Sequence, residues 1–194
     1  MVRPRLLDLF CGAGGAAMGY HRAGFDIIGV DIAPQPRYPF EFHQGDAMTF
    51  DLAGYDLVHA SPPCQHYSRA TAWRGDRAIH PDLIAAVRDR LAGRRYVIEN
   101  VEDAASELRD PIRLCGSQFG LRVRSHRLFE ISPPLFSLMP PCHHRRGDGV
   151  RDHGGTQTES AYRAMMGCDW MTVHEARQAI PPAFTEWIGE HVCR

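Results

Sequence analysis

Strand-like and helix-like segments alternate along the first hundred residues, and that alternation constrains the fold more than any other feature of the chain. Residues 6–10, 26–32, a run ending near Gly45, 56–60 and 96–101 read as short apolar strands, and helical patterns start near Gly15 and Pro81. Strands separated by helix-length segments form βαβ units, which predicts an α/β, Rossmann-like fold: a mostly parallel sheet with helices on both faces. In such sheets ligands bind beyond the carboxyl ends of the strands. Function is therefore expected just after each strand, at Cys11-Gly12, Asp31, Asp46, Pro63-Cys64-Gln65 and Glu99-Asn100.

With 194 residues, 44% of them hydrophobic, the chain suffices for one core and a small appendage. No apolar run approaches the ~20 residues needed to cross a bilayer, so no membrane partner is expected. The first residues lack the apolar stretch of a signal peptide, which predicts a cytoplasmic protein with its six cysteines reduced. Charge is nearly balanced at −1, yet all 22 basic residues are Arg, and residues 122–152 carry six of them against three acids. A basic face on an otherwise acidic body is the footprint of a polyanionic partner. From 132 to 160 no helical or strand period persists in a stretch rich in Pro, His, Arg and Gly, so a functional loop or very small subdomain is expected there. Helical patterning returns at Tyr162, and Pro181-Pro182 opens a last helix with Phe184, Trp187, Ile188 and Val192 on one face. The expected division is a core over 1–131, a recognition region over 132–160 and a C-terminal segment, 161–194, returning to the core.

Three short motifs carry chemistry. D-L-F-C-G-A-G-G, residues 8–15, is a strand entering a Gly-rich turn at a helix start, where backbone N–H groups can meet an anionic or nucleotide-like ligand. Its G-x-G-G spacing departs from the dinucleotide pattern G-x-G-x-x-G. Asp31 and Asp46, at the next two strand ends, are placed to accept hydrogen bonds from ribose hydroxyls and an adenine amine, or else to form turns. S-P-P-C-Q-H-Y-S, residues 61–68, fixes Cys64 with two prolines at the ligand edge, a setting for a nucleophile among groups able to favour its thiolate. Glu99 in E-N-V sits at a strand end where burial can raise its pKa and let it donate a proton to a ring nitrogen.

Together these motifs resemble those of the DNA cytosine-C5 methyltransferases, and in the same order. Residues 119–129, F-G-L-R-V-R-S-H-R-L-F, are similar to that family's Arg-rich motif, and Q-A-I-P-P with the helix through Ile188-Gly189 to its final motif. The resemblance implies a small enzyme of bacterial or phage DNA modification that methylates C5 of a flipped-out cytosine. Cys64 would attack C6, Glu99 protonate N3, Arg127 hold O2, and Asn100 and Pro63 fix the pocket. S-adenosyl-L-methionine would lie against Phe10, Cys11, Gly12, Ala13, Gly14, Gly15, Asp31, Ile32, Asp46, Ala47 and Gln178. Double-stranded DNA would meet Gln65, Ser68, Arg69, Arg124, Arg145 and Arg146, with residues 66–77 as a lid and the protein acting as a monomer. An RNA (tRNA) cytosine-C5 methyltransferase and a catalytically silent DNA-binding relative are the alternatives.

Two places depart from the family pattern: Val123 and Ser125 stand where Gln and Arg are usual, and Gln178 where Asn is usual. The recognition region is also far shorter than typical. It has room for few base-reading side chains, so a site of about two to three base pairs with a guanine neighbour is expected. Cys115, Cys142, His144 and His153 could together supply four zinc ligands, but C-x-H is not a standard zinc spacing and His-Arg clusters commonly touch phosphate. No metal is expected.

Overall fold

The computed structural model describes residues 2–67, 82–135, 139–144, 150–151 (backbone alone) and 158–192. A seven-stranded sheet runs β1 (Arg5–Leu9), β2 (Asp26–Asp31), β3 (Glu41–Gln44), β4 (Leu57–Ala60), β5 (Tyr96–Asn100), β6 (Ile112–Cys115) and β8 (His126–Ser132), in the spatial order β3-β2-β1-β4-β5-β8-β6. The strands β1 to β5 are mutually parallel, while β8 lies antiparallel to both β5 and β6. The α/β, mostly parallel expectation holds. The chain leaves β1 toward β2 and β3 on one side and returns to β4 and β5 on the other, so strand order reverses between β1 and β4, and a crevice opens there.

Burial on both faces explains the strand composition. Leu6, Leu57, Val97 and Phe129 enter a core beneath α1 (Gly15–Arg22), whereas Leu7, Leu9, Val58, Ile98 and Leu128 enter a second one beneath α2 (Ile84–Arg90). Three helices follow in the C-terminal segment. The first, α3 (Glu159–Met166), is capped by Thr158, whose hydroxyl accepts from Ala161 N, and stops at Gly167 in the left-handed region. Next, α4 (Val173–Gln178) starts with a reciprocal cap in which Thr172 and Glu175 satisfy one another's backbone N–H groups. Last comes α5 (Pro182–Val192), with proline at its first turn. Its Phe184 and Ile188 are fully buried, and Trp187 and Val192 pack at the rim of the same core, as their shared face predicts.

Close approach of α1 and α5 explains one glycine. A Cβ at Gly19 would lie 2.1 Å from both Pro182 O and Thr185 Oγ1, so nothing larger than hydrogen fits. Thr185 uses that proximity to donate to Ala16 O at 2.8 Å.

Some element expectations change. The helix expected from Pro81 starts at Ile84, and Pro81 itself lies outside the described residues. The region 132–160 is not wholly irregular, because a two-residue strand β9 (Val150–Arg151) pairs in parallel with β7 (Val123–Arg124). That pairing joins residues far apart in sequence and too few to show a period. Among the described residues no helix is long and apolar enough to cross a membrane.

Gly19→Ala tests the packing of α1 on α5. Forcing backbone apart in a packed interface costs about 1–3 kcal/mol or more, so the urea midpoint should fall. An unchanged midpoint would mean that α5 does not dock here.

Candidate active site

Strands β4 and β5, on one side of the crevice, deliver its principal groups. Beyond β4, Ser61 N donates to Leu9 O (3.1 Å), which keeps the chain on the sheet until Pro62 and Pro63 turn it. Pro63 is extended (φ −49°, ψ 124°), and Cys64 opens a single turn, Cys64–His66, closed by Tyr67 N donating to Cys64 O at 3.0 Å. Asn100, buried at the end of β5, donates through Nδ2 to Pro62 O (3.0 Å) and accepts at Oδ1 from Val101 N (3.0 Å). One amide thus fixes the strand end and the loop that aims Cys64.

Glu99 is buried beside this loop, and Arg127 Nε lies 3.1 Å from its Oε1. Burial pushes the Glu99 carboxyl above its ordinary value against the lowering effects of Arg127 and a hydrogen bond from Ser61. Cys64 is pushed up as well, by burial and then by the charge of Glu99, with Arg127 opposing. This corrects the expectation of surroundings that favour the thiolate. Low solvent access and a neighbouring carboxylate both disfavour a second anion at this position.

Sequence patterning gives no sign of the chain of groups behind Glu99. Ser61 hydrogen-bonds Glu99, His59 Nε2 lies 2.9 Å from Ser61 Oγ, and Tyr20 OH lies 3.0 Å from His59 Nδ1. Burial drives the His59 pKa down to about 3, so its imidazole is neutral. A consistent polarity follows: Tyr20 donates to Nδ1, Nε2–H donates to Ser61, and Ser61 donates to Glu99. His59 reads in sequence as an ordinary strand residue, and only the fold sets it against Tyr20 of α1.

On the other side of the crevice, the turn after β1 needs unusual backbone. Phe10 (φ 57°), Gly12 (φ 49°) and Gly14 (φ 85°) are all left-handed. A Cβ at Gly12 would meet nothing within 4 Å, so Gly12 faces open space, whereas a Cβ at Gly14 would lie 2.9 Å from Pro39 Cδ. Asp31 secures the turn, with Oδ2 accepting from Gly12 N and Oδ1 from Ala33 N, both at 2.9 Å. Beside it Ile32 is 74% exposed, which is rare here for a large apolar side chain. The expected site residues otherwise divide. Cys11, Ala13 and Ala47 have buried side chains, and Ala13 O accepts from Trp170 Nε1 at 2.9 Å. A Cβ on Gly15 would lie 2.5 Å from Ile180 O. Asp46 is exposed and forms a turn, its Oδ1 accepting from Met48 N at 2.8 Å. Gln178 is exposed on α4, its Nε2 3.3 Å from His174 Nε2 one turn earlier.

Among the expected DNA contacts, Gln65 is exposed beside Cys64 and Arg124 is half-buried on β7. Arg124 lines a groove of about 270 Å³ with Ser117, Leu121, Arg122, Val123, His143 and His144. Ser68, Arg69, Arg145, Arg146 and the expected lid from 68 onward lie outside the described residues. At the base of that segment the Tyr67 hydroxyl donates to Asp82 Oδ1.

A mostly parallel α/β sheet thus carries a Gly-rich turn after β1 and, beyond β4 and on β5 and β8, a thiol, a carboxyl and a guanidinium within electrostatic reach of one another. Residues 4–106 match the model of the C-5 cytosine-specific DNA methylase family, and the chain belongs to that family. It is 29% identical over 152 residues to the type II methyltransferase M.XorII of Xanthomonas oryzae pv. oryzae, an alignment covering 66% of this chain and 31% of that protein. It is 26% identical over 185 residues to the type II methyltransferase M.AplI of Arthrospira platensis, covering 78% and 53%. The chain thus spans about half or less of the length of these relatives. Among solved structures, the Entamoeba histolytica methyltransferase EhMeth shares the fold with a TM-score of 0.52 at 16% identity, over 68% of this chain and 53% of that one.

Asp8, on β1 behind the Gly-rich turn, generates a pH prediction. Burial raises its pKa from 3.8 to about 8; a 3.3 Å hydrogen bond from Tyr38 OH opposes the rise and the charge of Asp31 adds to it. The folded chain keeps a proton that the unfolded chain releases once pH passes the ordinary carboxyl range. Stability from this group is therefore complete below about pH 3.8 and falls as pH rises toward about 8. Asp8→Asn removes the titration, so the variant should gain melting temperature relative to wild type at pH 8 compared with pH 5. An equal difference at both pH values in thermal melts would contradict a neutral Asp8.

Proposed function

We propose that this protein transfers a methyl group from S-adenosylmethionine to C5 of a cytosine flipped out of double-stranded DNA, through a covalent bond between Cys64 and C6. The observation that carries this reading is the convergence of Cys64, Glu99 and Arg127 beyond β4 and along the β5–β8 pair, with burial raising the Glu99 carboxyl above its ordinary value.

The cofactor fits the other half of the crevice. Open space at Gly12, the Asp31 carboxylate and the exposed Ile32 together offer room for a ligand, an acceptor for ribose hydroxyls and an apolar surface for adenine. When bound, S-adenosylmethionine supplies an electrophilic methyl group. The rest of the work falls to this chain. Glu99 gives its proton to N3, which draws electron density from the ring and makes C6 electrophilic. The Cys64 thiol gives its proton to solvent as its sulfur forms a bond to C6, leaving C5 electron-rich; Arg127 steadies the base through O2. After methylation a base removes the C5 proton, the C6–S bond breaks and the ring regains aromaticity. Flipping is required because C6 is otherwise hidden in the stack. Arg124, Arg145 and Arg146, with Gln65, Ser68 and Arg69, would hold the duplex, and residues 132–160 would read a short site.

DNA containing 5-fluorocytosine should form a stable adduct with the wild-type protein, because fluorine cannot leave as the C5 proton does. Cys64→Ala should form none, and an adduct persisting in that variant on denaturing gels would overturn the mechanism. Glu99→Gln should lower kcat/KM by about 10²–10⁴-fold, the usual contribution of a positioned acid. Ser61→Ala removes a hydrogen bond that favours ionised Glu99, so the alkaline limb of the kcat/KM profile should move to higher pH. A limb that moves down or stays would show that the Tyr20-His59-Ser61 chain does not tune Glu99.

A further inference from the structure

We propose that Cys115, His126, Cys142 and His144 form a structural zinc site that pins the recognition segment to the catalytic sheet. Their ligand atoms all lie within 4.8 Å of one another. His126 Nε2 is 2.9 Å from His144 Nε2 and 3.7 Å from Cys142 Sγ. Zinc bonds of ~2.3 Å to sulfur and ~2.0–2.1 Å to nitrogen imply ligand-to-ligand edges of about 3.3–3.8 Å, so a small outward movement of the two imidazoles seats the ion. Two thiolates and two imidazoles are a donor set suited to tetrahedral zinc.

The surroundings are those of a built site. Cys115 and His126 are direct cross-strand partners where β6 and β8 meet, so two of the four ligands sit on rigid paired strands. The Glu102 carboxylate can only accept, and Oε2 lies 2.9 Å from His126 Nδ1; this places the ring proton there and turns the Nε2 lone pair toward the cluster. Such a carboxylate behind a ligating imidazole orients the ring and raises its basicity. Both sulfurs receive donors, Ser117 Oγ at 3.4 Å from Cys115 and Arg113 Nη2 at 3.9 Å from Cys142. Gln118 ties the two halves together, its Oε1 accepting from Cys115 N and its Nε2 donating to Pro140 O, both at 2.6 Å.

This quartet departs from the expectation of no metal and from the sequence-derived set of four. His126 joins Cys115, Cys142 and His144, and His153 lies outside the described residues. His126 is hidden in sequence because it precedes Arg127 in a strand, eleven residues from Cys115 and sixteen from Cys142. The consequence is structural. A recognition region too short for its own apolar core gains a staple, since metal binding free energy becomes folding free energy. The staple also holds the first residue of β8 next to Arg127 and beside the basic groove lined by His143 and His144.

Elemental analysis of the full chain, expressed with zinc in the medium, tests this directly. Close to one zinc per chain is expected, and after chelator stripping, added cobalt(II) should give the visible d–d and near-ultraviolet thiolate bands of a tetrahedral two-sulfur site. Cys142→Ser and His144→Ala should each lose most of the bound metal. Cys64→Ala should keep it, so the outcome is independent of methyl transfer. Wild-type protein with neither zinc nor cobalt bands would overturn the proposal, as would a Cys115–Cys142 disulfide in place of metal. Variants Cys142→Ser and His144→Ala that bind metal as wild type does would overturn it equally; if they fail to fold, the wild-type metal content and cobalt spectrum decide.

Discussion

The antiparallel insertion of β8 between β5 and β6 is the constraint on which the rest of this molecule depends. Its register sets Glu99 opposite Phe129 and Asn100 opposite Leu128, so the strand starts just beyond the end of β5. That start is where Arg127 meets Glu99. Alternation along the same strand sends Phe129 and Ile131 into the core under α1 and Leu128 into the core under α2. Glu130 follows Phe129 and accepts two 2.7 Å bonds from Arg88 of α2, one from Tyr96 OH at 2.9 Å and one from Arg109 N at 2.8 Å. With every oxygen engaged, this buried pair fixes the register of β8, and removing either partner alone would leave a buried charge unmatched.

A second regularity follows from the sheet's α1 face. Asp8 and His59 are register partners on β1 and β4, and Glu99 lies two residues beyond Val97, the partner of His59 on β5. All three are buried and titratable, and burial moves each toward its neutral form: Asp8 and Glu99 upward, His59 downward. Arg127, at the crevice, is the cation that meets this row. The rise at Glu99 thus comes first from lack of solvent, with Arg127 and Ser61 opposing it. The same burial raises Cys64, with the charge of Glu99 adding to it and Arg127 opposing.

Much of this can be read from residues in order. The Gly-rich turn, the Pro-Pro-Cys step and Glu99-Asn100 stand at strand ends, where period and punctuation coincide, and the parallel sheet follows from them. The C-terminal helix is legible because Pro182 starts it and its apolar residues keep one face. What escapes depends on contacts between distant residues: β7 with β9, Tyr20 with His59, and His126 with Cys142 and His144. The strand β8 mixes His, Arg and Glu with apolar residues because His126 and Arg127 meet Glu102 and Glu99 while Glu130 meets Arg88, which obscures a period of two. Asp46 and Gln178 illustrate the converse, since sequence position puts both in the cofactor half while their side chains meet a local turn and a helix neighbour.

The central claim is that the thiol, carboxyl and guanidinium assembled by β4, β5 and β8 act on carbon 5 of cytosine in DNA. Incubation of duplex DNA with the protein and trideuteromethyl S-adenosylmethionine, followed by digestion to nucleosides and mass spectrometry, measures this directly. The account predicts 5-methyldeoxycytidine heavier by the three deuteriums, absent with the Cys64→Ala protein. Label on the exocyclic N4 of cytosine, or in tRNA but not in DNA, would contradict it.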